Sequence, residues 1–420
     1  MIDLADAIAL VERTARPLPA RRQRLAAAAG AMLAEDVLAD VDSPPWDRAM
    51  MDGFAIRSAD MAGRGDDAIE FDVVLDLAAG DTTARTVASG ACARIMTGAP
   101  VPPGADAVIP IESALDGTAG ARAGARVRLR EPRFRAGQHV GRRGAAFRAG
   151  QPVLRAGCRL TPAAIGLAAE AGATHVRVSA TPRVAILSTG SELVPVEAIP
   201  AHGRTRNSNG PMIASAVERL GAEPIPLGIA VDRAEAIRAA VAQGLAADVL
   251  VLSGGVSAGD LDLVPSIFSA CGVEQVFHKV RLKPGKPVWF GQFDRGDAAP
   301  RTLVFGLPGN PASSLVCFEL FVRPALAILA GRPAKQWHLP RVRGVLTGAA
   351  RSASDRPVYL PCRLVGDAAS RGIEPLPWTG SSDLASLAIA DGLVVIEAGQ
   401  RAEPGGEVEA VVFPYGGLPR

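Results

Sequence analysis

Apolar residues recur at helical spacing over 2–15 and again over 21–34, which predicts two amphipathic helices broken by Pro17 and Pro19. Residues 57–136 read differently: short alternating runs with many turn residues predict a small β domain. Character mixes again over 137–180, with a hairpin over 150–157 and a helix over 161–172. Thr161 is its predicted N-cap, Pro162 fits the first turn, and Gly172 lies past its end. From Arg183 onward, apolar runs at 184–188, 223–228, 249–252 and 302–307 alternate with helical patterns at 211–220, 234–245, 263–271 and 314–329. Further strands are predicted near 274–280 and 287–291. That alternation predicts a doubly wound α/β domain, its sheet parallel and covered on both faces. Residues 340–420 are helix-poor and predict a C-terminal β domain.

The fold class expected is therefore α/β plus β, in several domains. Residues 1–40 with 137–180 form a discontinuous α+β domain, and 41–136 a β insertion. Residues 181–331 form the α/β domain and 332–420 the C-terminal β domain. A length of 420 residues fits such a division, since single cores stop growing well below it. Net charge is +2 and aromatics are 4%, so neither a global field nor base stacking points to nucleic acid. Five scattered cysteines without a CxxC pair exclude a zinc ribbon and argue against a disulfide framework. An acidic N-terminus and the lack of an 18-residue apolar run make the cytoplasm the expected location and exclude a membrane partner.

One stretch stands out against this composition. The chain has 45 Lys and Arg, of which only four are lysines, and Lys279, Lys283 and Lys286 fall within eight residues. A lysine head is a compact charge on a flexible stem, suited to phosphate or another oxyanion. Pro284 and Pro287 stiffen the turn, and Gly285 lets it bend or lets a ligand approach. A solvated basic loop is the bland alternative, although the flanks are apolar and strand-like.

Three predicted strand-end loops carry matching chemistry. Thr189-Gly-Ser-Glu192 offers hydroxyls and a carboxylate. Ser253-Gly254-Gly255-Val-Ser257 runs into Asp260 and Asp262, an arrangement able to cradle phosphate while the acids hold a divalent cation. Helix capping by those two acids competes with that reading. Pro308-Gly-Asn-Pro311-Ala-Ser313 is a rigid, anion-friendly turn before a helix. Asp52 precedes a short strand, and Thr97 opens a Gly/Pro-rich loop; for Asp52 a turn-forming role is the plain alternative. The five histidines are dispersed, so no Ser-His-Asp arrangement is available and the implied chemistry is electrostatic.

Taken together, Met51-Asp-Gly-Phe-Ala, Arg94-Ile-Met-Thr-Gly-Ala, Ser188-Thr-Gly-Ser-Glu-Leu, Ser208-Asn-Gly, Ser253-Gly-Gly-Val-Ser, Lys283-Pro-Gly-Lys-Pro and Gly306-Leu-Pro-Gly-Asn-Pro resemble the MoeA family of molybdopterin molybdenumtransferases, related to the gephyrin E domain. The resemblance implies an elongated four-domain homodimer that inserts molybdate into adenylylated molybdopterin, releases AMP and depends on Mg²⁺. It implies catalytic roles for Asp52, Thr97, Glu192, Asp232, Lys279 and Lys283, with Asp52 and Thr97 facing the other subunit. Glu192, Asp260 and Asp262 match metal positions. Ser253, Gly254, Gly255, Ser257, Lys286, Pro308, Pro311, Ser313, Arg363 and Ser381 match ligand-binding ones. Two departures stand out: Ala145-Ala146 where the family carries two acids, and Pro361 where it carries an arginine, with Arg363 or Arg356 as substitutes. A non-catalytic pterin-binding scaffold is the alternative function.

Overall fold

The computed structural model describes residues 1–414 apart from 65, 257–262, 297–299, 351–353 and 368–370. Two compact units result, one of Met1–Arg21 with Arg177–Arg420 and one of Arg22–Val176.

The first unit is built on a six-stranded sheet. In chain order the strands are β1 (Arg183–Thr189), β2 (Glu223–Ala230), β3 (Val249–Ser253), β4 (Glu274–His278), β5 (Trp289–Phe293) and β6 (Thr302–Leu307). Their spatial order is β2-β1-β3-β6-β5-β4. The first four in that order are parallel, whereas β5 runs antiparallel to β6 and β4 antiparallel to β5. The expected all-parallel sheet is thus mixed at one edge. The cause is the short connection between β4 and β5, which cannot carry a crossover and so makes a hairpin. That connection is the lysine turn. Trp289 pairs with Gly306, and Leu307 with Ser253, so the turn lies at the carboxyl edge of the parallel strands.

Alternation along β1 sorts the core into two layers. Val184 and Ile186 join one apolar cluster, and Ala185 and Leu187 the other. Helices α3 (Ala234–Gly244) and α4 (Val264–Ala270) cover the second face through Ile237, Val241, Ile267 and Phe268. Helices α1 (Leu4–Thr14) and α2 (Asn209–Arg219) cover the first, with a long helical run over Pro311–Leu329. The apolar stripe of α1 is short: Ala7 and Val11, one turn apart, are fully buried there. The five strands Arg341–Leu346, Val358–Val365, Gly372–Pro375, Gly392–Ile396 and Glu407–Val412 close a barrel around Cys362, Ile373, Val394 and Ala410.

The second unit holds a five-stranded sheet in the order Ala107–Pro110, Gly53–Ile56, Ala91–Ile95, Ile69–Leu77, Arg126–Leu129. Apolar clusters cover both its faces. The helix Pro162–Glu170 starts as expected, Thr161 Oγ1 accepting from Ala164 N–H at 3.2 Å. The helix expected over 21–34 does not form. Arg21–Arg24 is a strand, and Leu25–Ala27 only a single 3₁₀ turn. Farther on, Leu33 N–H donates to Cys158 O and Leu160 N–H to Ala31 O, so pairing with a distant segment overrides helical spacing.

The run Pro311–Leu329 is long and apolar enough to cross a membrane, yet from Ala312 on it is buried in the protein core. Its middle, Phe318–Val322, widens into a π turn. There Arg323 donates to Glu319, and the two side chains are 10% and 0% exposed. Breaking such a pair takes the cationic partner from a carboxylate in the core. Arg323→Ala is expected to lower unfolding free energy by about 3–5 kcal/mol, read from the urea midpoint; a loss below about 1 kcal/mol would contradict this packing.

Candidate active site

A cleft of about 600 Å³ opens at the carboxyl edge of the sheet in the first unit. That is where open α/β sheets bind ligands. Glu192 from the loop after β1, Gly255 after β3, and Pro308 and Pro311 after β6 all line it. Pro287 of the lysine turn joins them, as do Ser382 and Leu384 from beyond the barrel's third strand.

A buried polar chain fixes these loops. Ser253 Oγ donates to Ser188 Oγ at 3.3 Å, and Ser188 Oγ donates to Asn207 Oδ1 at 3.0 Å. The same Oδ1 accepts from Gly210 N–H at 3.1 Å, setting the first turn of α2. Ser253 therefore acts beneath the cleft, through Asn207, and does not line it. Asn209 Nδ2 donates to Gly309 O at 2.8 Å and ties α2 to the loop after β6. Asp232 accepts from Ser191 N–H at 2.7 Å, and its own N–H donates to Ser191 Oγ at 3.2 Å. This reciprocal pair holds the loop that carries Glu192.

Two of the expected backbone cradles are already engaged. Gly254 N–H donates to Leu307 O at 3.0 Å. Its glycine is needed for another reason: φ is +102°, and a Cβ would sit 2.3 Å from Thr189 O. In the turn before Pro311–Leu329, Ala312 and Ser313 donate to Ser381 O at 3.1 and 3.4 Å. Ser381 Oγ accepts from Asn310 Nδ2 at 2.8 Å. Ser381 thus sits at this turn as a cap on the helix start; Ser313 is buried. Asp383 holds the Ser381–Ser382 loop. Its carboxylate accepts from Thr379 N–H and Ser386 N–H, both at 3.0 Å. Those backbone bonds, Thr379 first, pull its pKa down to about 2.

The lysine turn is held from three sides. Lys279 N–H donates to Val288 O, and Lys279 O accepts from Ile2 N–H, both at 3.0 Å. Lys283 N–H donates to Pro357 O at 3.0 Å and Lys283 O accepts from Tyr359 N–H at 2.8 Å. Gly285, at φ +123°, lies where a Cβ would come within 2.5 Å of Cys317 Sγ. The backbone at both ends of the turn is thus engaged, but the ammonium groups are not. Among the described residues, no carboxylate pairs with Lys279, Lys283 or Lys286, and the last two are exposed.

In the second unit, Asp52 and Thr97 meet directly. Thr97 donates to Asp52 Oδ1 from both N–H and Oγ1 at 2.7 Å. The backbone bond, then the hydroxyl bond, holds this carboxyl below the ordinary carboxylate range. Arg363 lies on a barrel strand across from Glu374 and is not among the cleft-lining residues. Ser257, Asp260 and Asp262 lie outside the described residues. The asparagines Asn207, Asn209 and Asn310 and the anchor Asp383 carry no site role in the sequence reading. Ser208-Asn-Gly ahead of a helix was the signal available for the first two.

Three family models match in chain order: the MoeA N-terminal region (domain I and II) over 2–172, a probable molybdopterin binding domain over 185–328, and the MoeA C-terminal region (domain IV) over 343–413. A molybdopterin molybdenumtransferase of Staphylococcus aureus (strain COL) is 31% identical over 417 residues, covering 98% of this chain and 95% of the relative. The chain belongs to the MoeA family. Two crystal structures of the molybdopterin biosynthesis MoeA protein from Pyrococcus horikoshii match with TM-scores of 0.83 and 0.79 at 30% and 26% identity. Each covers 98% of this chain, and this chain covers 99% and 100% of them.

The departures from the MoeA pattern have local accounts. Before Ala145-Ala146, Arg142 pairs with Asp47 and Arg143 with Asp42, both at 2.6 Å, so this loop meets its arginines with acids from 42–47. Pro361 lies inside a barrel strand, where its carbonyl accepts from Leu376 N–H at 2.8 Å. Arg356 is turned to Asp355 at 3.2 Å.

Two outcomes follow from this geometry. Gly285→Ala forces a Cβ into Cys317 and is expected to cost about 1–3 kcal/mol in guanidinium unfolding; an unchanged midpoint would contradict the close approach. Asp383 has its pKa lowered from 3.8 to about 2, so its contribution is full above pH 3.8 and lost as pH falls through about 2. Asp383→Ala is expected to flatten the acid side of the stability profile between those values. A wild-type profile in the variant would show that the loop does not rely on this cap.

Proposed function

We propose that this chain inserts molybdate into adenylylated molybdopterin, releasing AMP and leaving molybdenum on the pterin. The observation that carries the reading is the lysine turn beside the cleft, with no carboxylate paired to it among the described residues, in a chain of the MoeA family. Molybdate and the substrate phosphates are all anions. Bringing two unit negative charges to about 4 Å costs about 4 kcal/mol at an effective dielectric of about 20. Ammonium groups with no internal partner offset that repulsion without first breaking an ion pair.

The residues divide the work. Lys279, Lys283 and Lys286 draw the oxyanion and the phosphates together. Ser381, Asn310, Pro308 and Pro311 shape the far wall, and Ser253, Gly254 and Gly255 hold its floor. Glu192 stands at the rim, its loop set by Asp232. Asp52 and Thr97 are assigned to catalysis and Arg363 to ligand binding on the family resemblance, and the active form is a homodimer. Mg²⁺ dependence is part of the proposal, with Glu192, Asp260 and Asp262 as its residues. Among the described residues no group of three His, Cys, Asp or Glu side chains is placed to hold a metal ion.

The test supplies purified protein with adenylylated molybdopterin, Mg²⁺ and molybdate, and follows AMP release with activation of an apo-molybdoenzyme. Molybdate-dependent AMP release is expected, suppressed by chelation and restored by Mg²⁺. Pterin binding without AMP release would instead support a binding scaffold. Lys283→Ala with Lys286→Ala is expected to slow AMP release at least about 100-fold with the fold intact. A rate within about twofold of wild type would remove the turn from the mechanism.

A further inference from the structure

Arg206 lines the same cleft and has no role in the reading above. It lies on a two-residue strand, Thr205–Arg206, parallel to Leu193–Val194 with Val194 opposite Arg206. Its Nε–H is shared between Val196 O at 2.9 Å and Ala198 O at 3.0 Å. That fixes the plane of the guanidinium and uses one of its five donors. The remaining four, on the two terminal nitrogens, have no carboxylate or carbonyl partner among the described residues. The neighbouring Arg204 differs: its terminal nitrogen is spent on Ser191 O. Arg206 is thus an oriented, unpaired fork on one wall, with Pro287 of the lysine turn on another.

A planar fork with two parallel donors matches a phosphate better than a point charge does. We propose that Arg206 is a substrate-positioning residue that binds a phosphate of the adenylylated pterin through its terminal nitrogens, apart from the oxyanion held by the lysines. The inference rests on the function proposed above. Phosphate could reach it from the nucleotide or from the pterin side chain; the chemistry is shared, and the experiment separates the two.

Binding is measured for two ligand pairs, AMP against adenosine and oxidised phosphorylated pterin against its dephosphorylated form. Wild type is expected to prefer the phosphorylated member of one pair by about tenfold or more, and that pair names the source. Arg206→Ala is expected to abolish that preference while leaving binding of the unphosphorylated member unchanged. Arg206→Gln keeps a side-chain donor for the two loop carbonyls but lacks the charge, and is expected to lose the preference as well. Three results would overturn the assignment: no preference in wild type, the full preference retained in Arg206→Gln, or equal weakening of both members. A wild type that turns over molybdate while its variants keep the preference overturns the inference alone. A wild type that releases no AMP overturns the function it rests on.

Discussion

Three ammonium groups on one short turn repel one another, and nothing acidic in the described chain relieves them. The fold therefore holds them by their backbone. Ile2 bonds one side of the turn, and Pro357 and Tyr359 bond the other. Cys317 presses beneath Gly285. The first residues of the chain, the barrel and the long buried helix converge there, although Ile2, Cys317 and Tyr359 are far apart in sequence. The hairpin between β4 and β5 follows from the same requirement. A short connection carries the lysines to the carboxyl edge, and its shortness makes that edge of the sheet antiparallel.

The rigidity has a chemical consequence. A cationic site neutralised by its own acids must break those pairs to bind a ligand. On the proposed function this turn would meet an anion with Lys283 and Lys286 exposed and without a carboxylate partner among the described residues, so less reorganisation precedes binding. The Ser253–Ser188–Asn207 chain serves the opposite wall in the same spirit: its polar groups satisfy one another below the surface and fix the start of α2. The helix start at Pro311 is closed by the carbonyl of Ser381. The cleft thus relies on side-chain cations more than on open helix ends.

The sheet was legible because its alternation is strong. Val184-Ala-Ile-Leu reads as a strand buried on both faces, and each face found its own cluster. The lysine turn was legible because lysine is rare in an arginine-rich chain. Within 21–34, residues 30–33 were misread because their pairing partner, near 158–160, is invisible to local spacing. The cleft asparagines and Asp383 escaped for a related reason. Each acts through a contact that folding creates, Asn209 with Gly309 or Asn310 with Ser381, and single residues of that kind leave no spacing signal. The glycines after β3 stand out in the sequence as a phosphate cradle; the structure adds that Gly254 is required by its backbone angle and by Thr189.

The most direct test of the central claim is to locate molybdate on the protein. Crystals soaked in molybdate and measured at the molybdenum absorption edge are expected to show an anomalous peak at the lysine turn beside Pro287, lost in the Lys283→Ala, Lys286→Ala variant. A peak bound elsewhere in the cleft and unchanged in that variant would contradict the account.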